Sequence, residues 1–144
     1  ELHHNAIQRG TAQWLADLGI DLIVGSHPHV VQDYELITTQ QGKQVPVIYS
    51  LGHLVSNQRW EHSNGGMMAT IDIDKQSKQI IDIAFIPFYV HKGSIQSLNE
   101  KRNYYCIPTQ DYLQGRLPFT LSNDSIVQDL KNFHNNTLRR VNQR

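Results

Sequence analysis

The sequence is poor in cysteine, with Cys106 the single thiol among 144 residues. One cysteine excludes a disulfide within the chain and a metal site built from cysteines alone. No apolar run approaches the roughly 20 residues that a bilayer-spanning helix needs. The 13 basic residues are balanced by 13 acidic ones, so no basic stripe indicates a nucleic-acid partner. A disulfide scaffold, a membrane-spanning helix and nucleic-acid binding are therefore not predicted.

The sequence also has neither an initiating methionine nor a signal peptide, and it opens at Glu1, close to a helical pattern. We expect a piece of a longer protein, in which any export signal or anchor lies upstream. Hydrophobic residues make up 39% of the chain, which is enough for one core. We predict a single domain over residues 1–144.

The first pattern is that of an amphipathic helix over residues 5–19. Asn5 and Gln8 have the spacing of a capping box, and Gly19 is a natural end. The apolar run 21–25 follows and predicts a buried strand of a parallel sheet. Helix, turn and strand together indicate the α/β class, with helices packed on a mixed sheet. The helix stripe expected to pack, with Trp14 beside it, consists of Ile7, Thr11, Leu15 and Leu18.

The rest of the chain alternates between strand patterns and polar segments. Further strands are predicted over residues 33–38, 45–51, 68–74, 81–90 and 104–107. Pro46 lacks an amide hydrogen and favours a strand start or edge. Residues 75–78 predict a hairpin turn, and 57–66 and 91–103 predict loops. A tail helix is predicted over about 123–141, with a stripe of Ile126, Leu130, Phe133, Thr137 and Val141.

The strongest chemical signal is the segment Gly25-Ser26-His27-Pro28-His29, directly after the predicted buried strand. Imidazoles at i and i+2 point the same way if the backbone is extended, and a proline favours such backbone at the residue before it. The carboxyl ends of strands are where open α/β sheets bind ligands. Because neutral imidazoles suit Zn, Fe, Mn or Ni, we predict that His27 and His29 bind metal. The alternative is that both histidines cap the strand and bond to backbone.

The wider stretch is more specific than the histidine pair. Together its blocks resemble the bacterial CapA family, which is linked to poly-γ-glutamate capsule synthesis and related to the metallophosphoesterase superfamily. The resemblance covers about residues 1–113 and implies the C-terminal portion of a metallophosphoesterase-like layered sandwich. The blocks that carry it are 22–32, Glu35, 47–52, 85–90 and 104–108.

The resemblance implies that His27 and His29 each bind one of two bridged divalent metals, Mn, Fe or Zn. Glu1 resembles the glutamate that follows a His-Trp-Gly segment, and the family's other metal motifs would lie upstream of it. The missing N-terminal half of the same protein is therefore an expected partner, and the chain alone is expected to be inactive and to bind little or no metal.

For the whole protein, the resemblance implies metal-assisted hydrolysis or transfer, with a capsule polymer or a phosphorylated intermediate as substrate. It also implies a place at the cell envelope, on the extracytoplasmic side. The alternative is a non-catalytic capsule-assembly protein that keeps the fold and binds polymer. A simple metal-binding or structural module is a third possibility, and an exposed sheet edge would allow a homodimer.

Three further residues are candidates for the surroundings of the site. His53 stands where the family usually has asparagine; it is either a third imidazole or a polar replacement, and the replacement is favoured. Gln32 and Glu35 are candidates to contact substrate or orient a ligand, although Glu35 is equally expected to be a solvated strand residue. Trp60, in a polar loop, is a candidate for stacking on a sugar, whereas Trp14 is expected to pack against the sheet.

Overall fold

The computed structural model describes residues 1–95 and 103–142. Helices and two three-stranded sheets make up these residues, which confirms the predicted α/β class. No helix within them is long and apolar enough to cross a bilayer. In chain order the elements are α1 (Ala6–Asp17), β1 (Ile23–Val24), β2 (Tyr34–Thr38), β3 (Gln44–Ile48), β4 (Gly65–Ile73), β5 (Ile80–Gly93), β6 (Asn103–Pro108), α2 (Thr109–Leu113) and α3 (Asp124–Val141).

The first sheet is mixed and has the order β1-β3-β2. β1 runs parallel to β3, as predicted, but it is two residues long and forms the sheet edge. The predicted burial of this strand is therefore wrong, and Val24 is 47% exposed. Pro46 lies in the central strand β3, opposite Leu36 of β2. It is tolerated because β1 pairs only from Val47 onward, so at Pro46 the strand has one neighbour.

The second sheet is an antiparallel meander with the order β4-β5-β6. The predicted hairpin turn is confirmed: the Asp74 carboxylate accepts hydrogen bonds from the backbone N–H groups of Gln76 and Ser77. The predicted loop over 91–103 is wrong at both ends, because β5 continues to Gly93 and pairs with β6 from Asn103. Its residues 96–102 lie outside the described part of the chain.

Helix α1 confirms the predicted capping box, in which Asn5 and Gln8 bond each other's backbone N–H at 2.9 and 2.8 Å. The predicted packing stripe is wrong. Ala12 and Ala16 face the sheet, where they contact a small core of Ile37, Val45, Val47 and Tyr49. Small side chains let the helix approach the sheet, and most of the larger apolar side chains turn outward, although Leu15 is half-buried. Ile7 is 81% exposed, Leu18 65% and Trp14 60%, so Trp14 does not pack on the sheet.

The predicted tail helix and its stripe are confirmed. Asn123 caps α3, and the buried positions include four of the predicted five. The core under this helix contains side chains of both sheets, among them Ile48 and Met67. Arg140 also donates a hydrogen bond to the backbone oxygen of Val31 at 2.8 Å. The tail helix therefore joins the two sheets through apolar packing and one buried polar contact. The buried stripe positions are Leu130, Phe133, Thr137 and Val141.

Candidate metal-binding site

The candidate site lies where the parallel strands β1 and β3 end. Ile23 pairs with Val47 and Val24 with Ile48. The carboxyl ends of the two strands therefore lie side by side. The His-Pro-His loop, residues 25–29, follows β1, and the segment 49–53 follows β3. Carboxyl ends of parallel strands are the usual place for ligand sites in such sheets. The topology thus brings two histidine-bearing segments together.

Gly25 permits the close contact between these two segments. Its N–H donates to the Ile48 carbonyl at 2.7 Å. A Cβ atom at this position would lie 2.2 Å from the Tyr49 carbonyl oxygen, which no side chain can accept. Glycine is therefore required here by close backbone approach, and not only by the turn after the strand.

Ser50 ties the two segments to each other. Its side chain is buried, and Oγ donates to the Pro28 carbonyl at 3.0 Å while accepting from the Gly52 N–H at 3.1 Å. The Ser50 carbonyl in turn accepts from the Gln32 N–H at 3.1 Å. One buried residue therefore fixes the loop that carries His29 and the turn that leads to His53.

The backbone at His27 differs from the prediction. Its φ is +111°, and residues 28–30 form bends, so the extended backbone from which a common direction of the two imidazoles was inferred is absent. A residue other than glycine with such a φ is strained, at a cost of about 1–3 kcal/mol. In the described residues, His27 is exposed and has no recorded hydrogen bond, ion pair or ring contact. Its role as a ligand stays a prediction.

His29 instead lies beside His53. Their ring centroids are 5.8 Å apart, and the ring planes meet at 84°. Both ring nitrogens of His53 are shielded from solvent, and neither makes a hydrogen bond of good geometry. Burial lowers the pKa of His53, and His29 lowers it further, although the Ser63 backbone carbonyl acts in the opposite direction. A lowered pKa favours the neutral imidazole, which is the form that binds metals.

Gln32 is buried and holds the first residues of the chain. Its Nε2 donates to the carbonyl oxygens of Glu1 and His3 at 3.2 and 3.1 Å, and its Oε1 accepts from Gln8 at 3.2 Å. These bonds occupy the amide, and none of them reaches the predicted ligands. The proposed contact of Gln32 with substrate or a ligand stays a prediction.

Glu35 is engaged on the α1 side of the first sheet. Arg9 donates to its Oε1 from Nε at 3.0 Å and from Nη2 at 2.8 Å, and Tyr49 donates to its Oε2 at 2.9 Å. Burial raises the pKa of Tyr49, and the hydrogen bond to Glu35 raises it further, so the phenol stays a donor. Glu35 is thus an anchor between helix and sheet, and its orienting role for a ligand stays a prediction.

The contacts of His4 near the site could not be predicted from the sequence. His4 Nδ1 lies 2.6 Å from an Asp33 carboxylate oxygen, and its ring stacks on Tyr49 with 3.9 Å between centroids. The partners are separated by 29 residues or more, so no local spacing could predict the contact. Through these two contacts, His4 holds the segment before α1 against the residue that follows β3.

The donors present fit a divalent metal in part. His29 and His53 offer two close imidazoles, whereas a metal takes three or four protein ligands. Within residues 1–95 and 103–142, no group of three or more His, Cys, Asp or Glu side chains is arranged to hold a metal ion. Further ligands would have to come from elsewhere.

Comparison with known proteins shows what the chain is similar to. Residues 1–58 match the family described as "Bacterial capsule synthesis protein PGA_cap", and this range includes the predicted ligands His27 and His29. The chain is 27% identical over 140 residues to "Capsule biosynthesis protein CapA" of Bacillus anthracis, covering 95% of this chain and 32% of the relative. It is 28% identical over 90 residues to "PGA biosynthesis protein CapA" of Bacillus subtilis (strain 168), covering 62% of this chain and 22% of the relative.

These matches confirm the resemblance predicted from the sequence: the chain is related to CapA-type capsule-synthesis proteins. It spans about a third or less of the length of these two relatives. No solved structure matches the chain.

Proposed function

We propose that the protein acts in capsule-polymer synthesis at the cell envelope, on the extracytoplasmic side, and that the whole protein carries a divalent-metal centre for hydrolysis or transfer. The capsule role rests on the names of the matching family and relatives. The observation that supports the metal centre is the meeting of His29 and His53 where two parallel strands end. The substrate class is a phosphoryl or acyl group of the polymer or its precursor.

In this proposal the chain supplies imidazole ligands on preformed loops. A bound pair of Mn, Fe or Zn ions would provide Lewis-acid polarisation and an activated water. His29 would hold the metals, together with His27 as the family resemblance implies. Ser50 fixes the loop that carries these two histidines. Gly25 keeps that loop against β3. The strain at His27 fits a position selected for binding rather than for stability.

We further propose that the missing N-terminal half of the same protein supplies the other ligands and covers the outer face of α1. We define the α1 outer face as Ile7, Trp14 and Leu18, which are largely exposed in this chain. Exposed apolar patches of this kind mark contact surfaces. The relatives are about three times as long as the matched segment or longer, which supports another part of the same protein as the occupant.

A second candidate function is polymer binding without catalysis. Trp60 is 75% exposed and lines a cleft of about 330 Å³ together with polar side chains. An exposed ring among amide and charged groups suits binding of a polar polymer. The polar residues of this cleft include Arg59, Glu61, His62, Asn64, Asp129, Asn132 and Asn136.

Activity of the complete natural protein tests the proposal. With a chromogenic phosphate ester and Mn²⁺ or Zn²⁺, we expect turnover that is lost in His29→Ala and retained in His3→Gln, a change at an exposed histidine. The chain 1–144 alone should show little turnover, since metal affinity depends on ligand number and geometry. Robust turnover by this chain alone, lost on His27→Ala, would contradict the need for further ligands. Polymer binding without turnover, abolished by Trp60→Ala, would favour the second candidate.

A further inference from the structure

We propose that His53 is a metal ligand that acts together with His29. The inference rests on the metal centre of the proposed function and adds a residue that the family pattern does not supply, since that pattern usually has asparagine at this position. The sequence alone favoured a simple polar replacement. The contacts of His53 now argue against that interpretation.

The separation of the two rings suits one shared ion. Two imidazoles bound to a tetrahedral metal at about 2.0–2.1 Å place their ring centroids roughly 5–6 Å apart. The observed separation of the His29 and His53 centroids is 5.8 Å. Their planes are nearly perpendicular, at 84°, an arrangement that is compatible with two imidazoles bound to one ion.

The unpaired nitrogens of His53 point to an absent partner. Buried polar atoms in native proteins nearly always have a hydrogen-bond partner, and each exception needs an explanation. Neither Nδ1 nor Nε2 of His53 makes a hydrogen bond of good geometry in the described structure, although the Ser63 backbone carbonyl lies close to the ring. A polar replacement for asparagine would be expected to make a hydrogen bond. A bound metal would give one nitrogen the partner that it lacks.

The backbone around His53 is held in place independently of any metal. Gly52 has a φ of +74°, and its N–H donates to Ser50. A Cβ atom on Gly66 would lie 2.6 Å from the His53 carbonyl oxygen, so strand β4 packs directly against this residue. The backbone that carries the two imidazoles is therefore held in place before a metal binds, and such preorganised ligands bind a metal more favourably than mobile ones.

Metal titration of the complete natural protein tests the assignment. The probe is Co²⁺, followed by its visible absorption, and Zn²⁺ in competition. His53→Phe keeps a flat ring against His29 but removes both nitrogens. We expect it to weaken Co²⁺ binding by roughly tenfold or more, since loss of even an outer-shell partner costs metal sites about 10–100-fold. The Co²⁺ spectrum should also change, and His3→Gln should match the wild type.

The outcomes separate this inference from the proposed function. If His29→Ala weakens binding while His53→Phe binds as the wild type does, His53 is no ligand and the metal centre stands without it. If the wild-type protein binds no Co²⁺ or Zn²⁺, both the centre and this inference are wrong. Should His53→Phe fail to fold, His53→Asn, which restores the family's usual residue, decides the question by the same titration.

Discussion

At the scale of single residues, Ser50 has the clearest structural task near the candidate site. It is fully buried, and its hydroxyl serves the Pro28 carbonyl and the Gly52 N–H at once. The first bond joins the segments that follow β1 and β3, and the second lies within the segment after β3. The alignment of His29 with His53 therefore depends on a residue that touches neither ring.

Replacement Ser50→Ala should lower the free energy of unfolding by about 1–3 kcal/mol, because it leaves buried polar groups unpaired. Denaturant unfolding measures this change. Metal affinity of the complete protein should fall as well, since the two loops lose their common anchor. Ser122→Ala, at an exposed serine, is the control and should leave both quantities unchanged. A Ser50 variant as stable as the wild type would show that water replaces the hydroxyl.

The sequence predicted that the His-Pro-His loop follows a strand of a parallel pair, but it did not predict the arrangement of the loop's side chains. The prediction assumed extended backbone before Pro28, whereas His27 has a φ of +111°. Close packing of Gly25 on Tyr49 and the bond from Ser50 are long-range effects that local preferences do not contain. The proximity of His53 to His29 follows from strand pairing, which a single sequence does not reveal.

At the scale of elements, helix α3 is the most strongly specified by sequence. Its apolar stripe is regular, its N-cap is Asn123, and its last turn carries Arg139 and Arg140. The stripe packs into the core beneath the second sheet. Local pattern and tertiary packing agree here, which explains why the tail helix was predicted correctly.

The substitution Leu130→Ala should destabilise the chain by about 2–5 kcal/mol, the usual cost of a large-to-small change at a fully buried site. Leu130 is buried completely. Thermal and denaturant unfolding measure the effect, and Gln128→Ala on the exposed face should be nearly neutral. An unchanged melting temperature, together with fast amide exchange along α3, would show that the helix does not pack within this chain.

Helix α1 shows why a helix can be predicted correctly while its buried face is predicted wrongly. Its periodicity predicted the helix, and the capping box predicted its start. The larger apolar residues were expected to pack, but Ala12 and Ala16 contact the sheet instead. A pattern gives the faces of a helix without saying which partner covers each one. Where apolar residues lie on two faces, the sequence of this chain alone cannot assign them.

At the scale of the whole molecule, the described residues include an apolar face on α1 that the other described elements leave exposed. The α1 outer face lies on the same side of the molecule as the first sheet. In that sheet, β1 is an edge strand that pairs only with β3 among the described strands. Edge strands and apolar patches both favour further contacts. This arrangement suits a segment that is completed by more protein.

The double change Trp14→Lys and Leu18→Lys tests what covers this face. If the missing N-terminal half does, the complete protein should lose about 2 kcal/mol or more of unfolding free energy, since buried apolar side chains contribute about 1.5–3 kcal/mol each. Denaturant unfolding measures this loss. Ile73→Lys, at an exposed isoleucine on β4, should cost less.

Sedimentation measurements on the same variants test the alternative that a second copy of the protein covers this face. A complete protein of unchanged stability that dissociates from dimer to monomer on the double change would show that a second copy covers the face. Association of the chain 1–144 that disappears with the double change is expected under either occupant, because the apolar face is bare in that form.

The position of bound metal tests the central claim most directly. Crystals of the complete natural protein soaked with Zn²⁺ or Mn²⁺ can be measured at the metal's absorption edge, where anomalous scattering locates the ion. We predict a peak about 2.0–2.2 Å from a ring nitrogen of His29, at the carboxyl ends of β1 and β3. A protein saturated with metal whose peaks all lie away from the His-Pro-His loop would contradict the account.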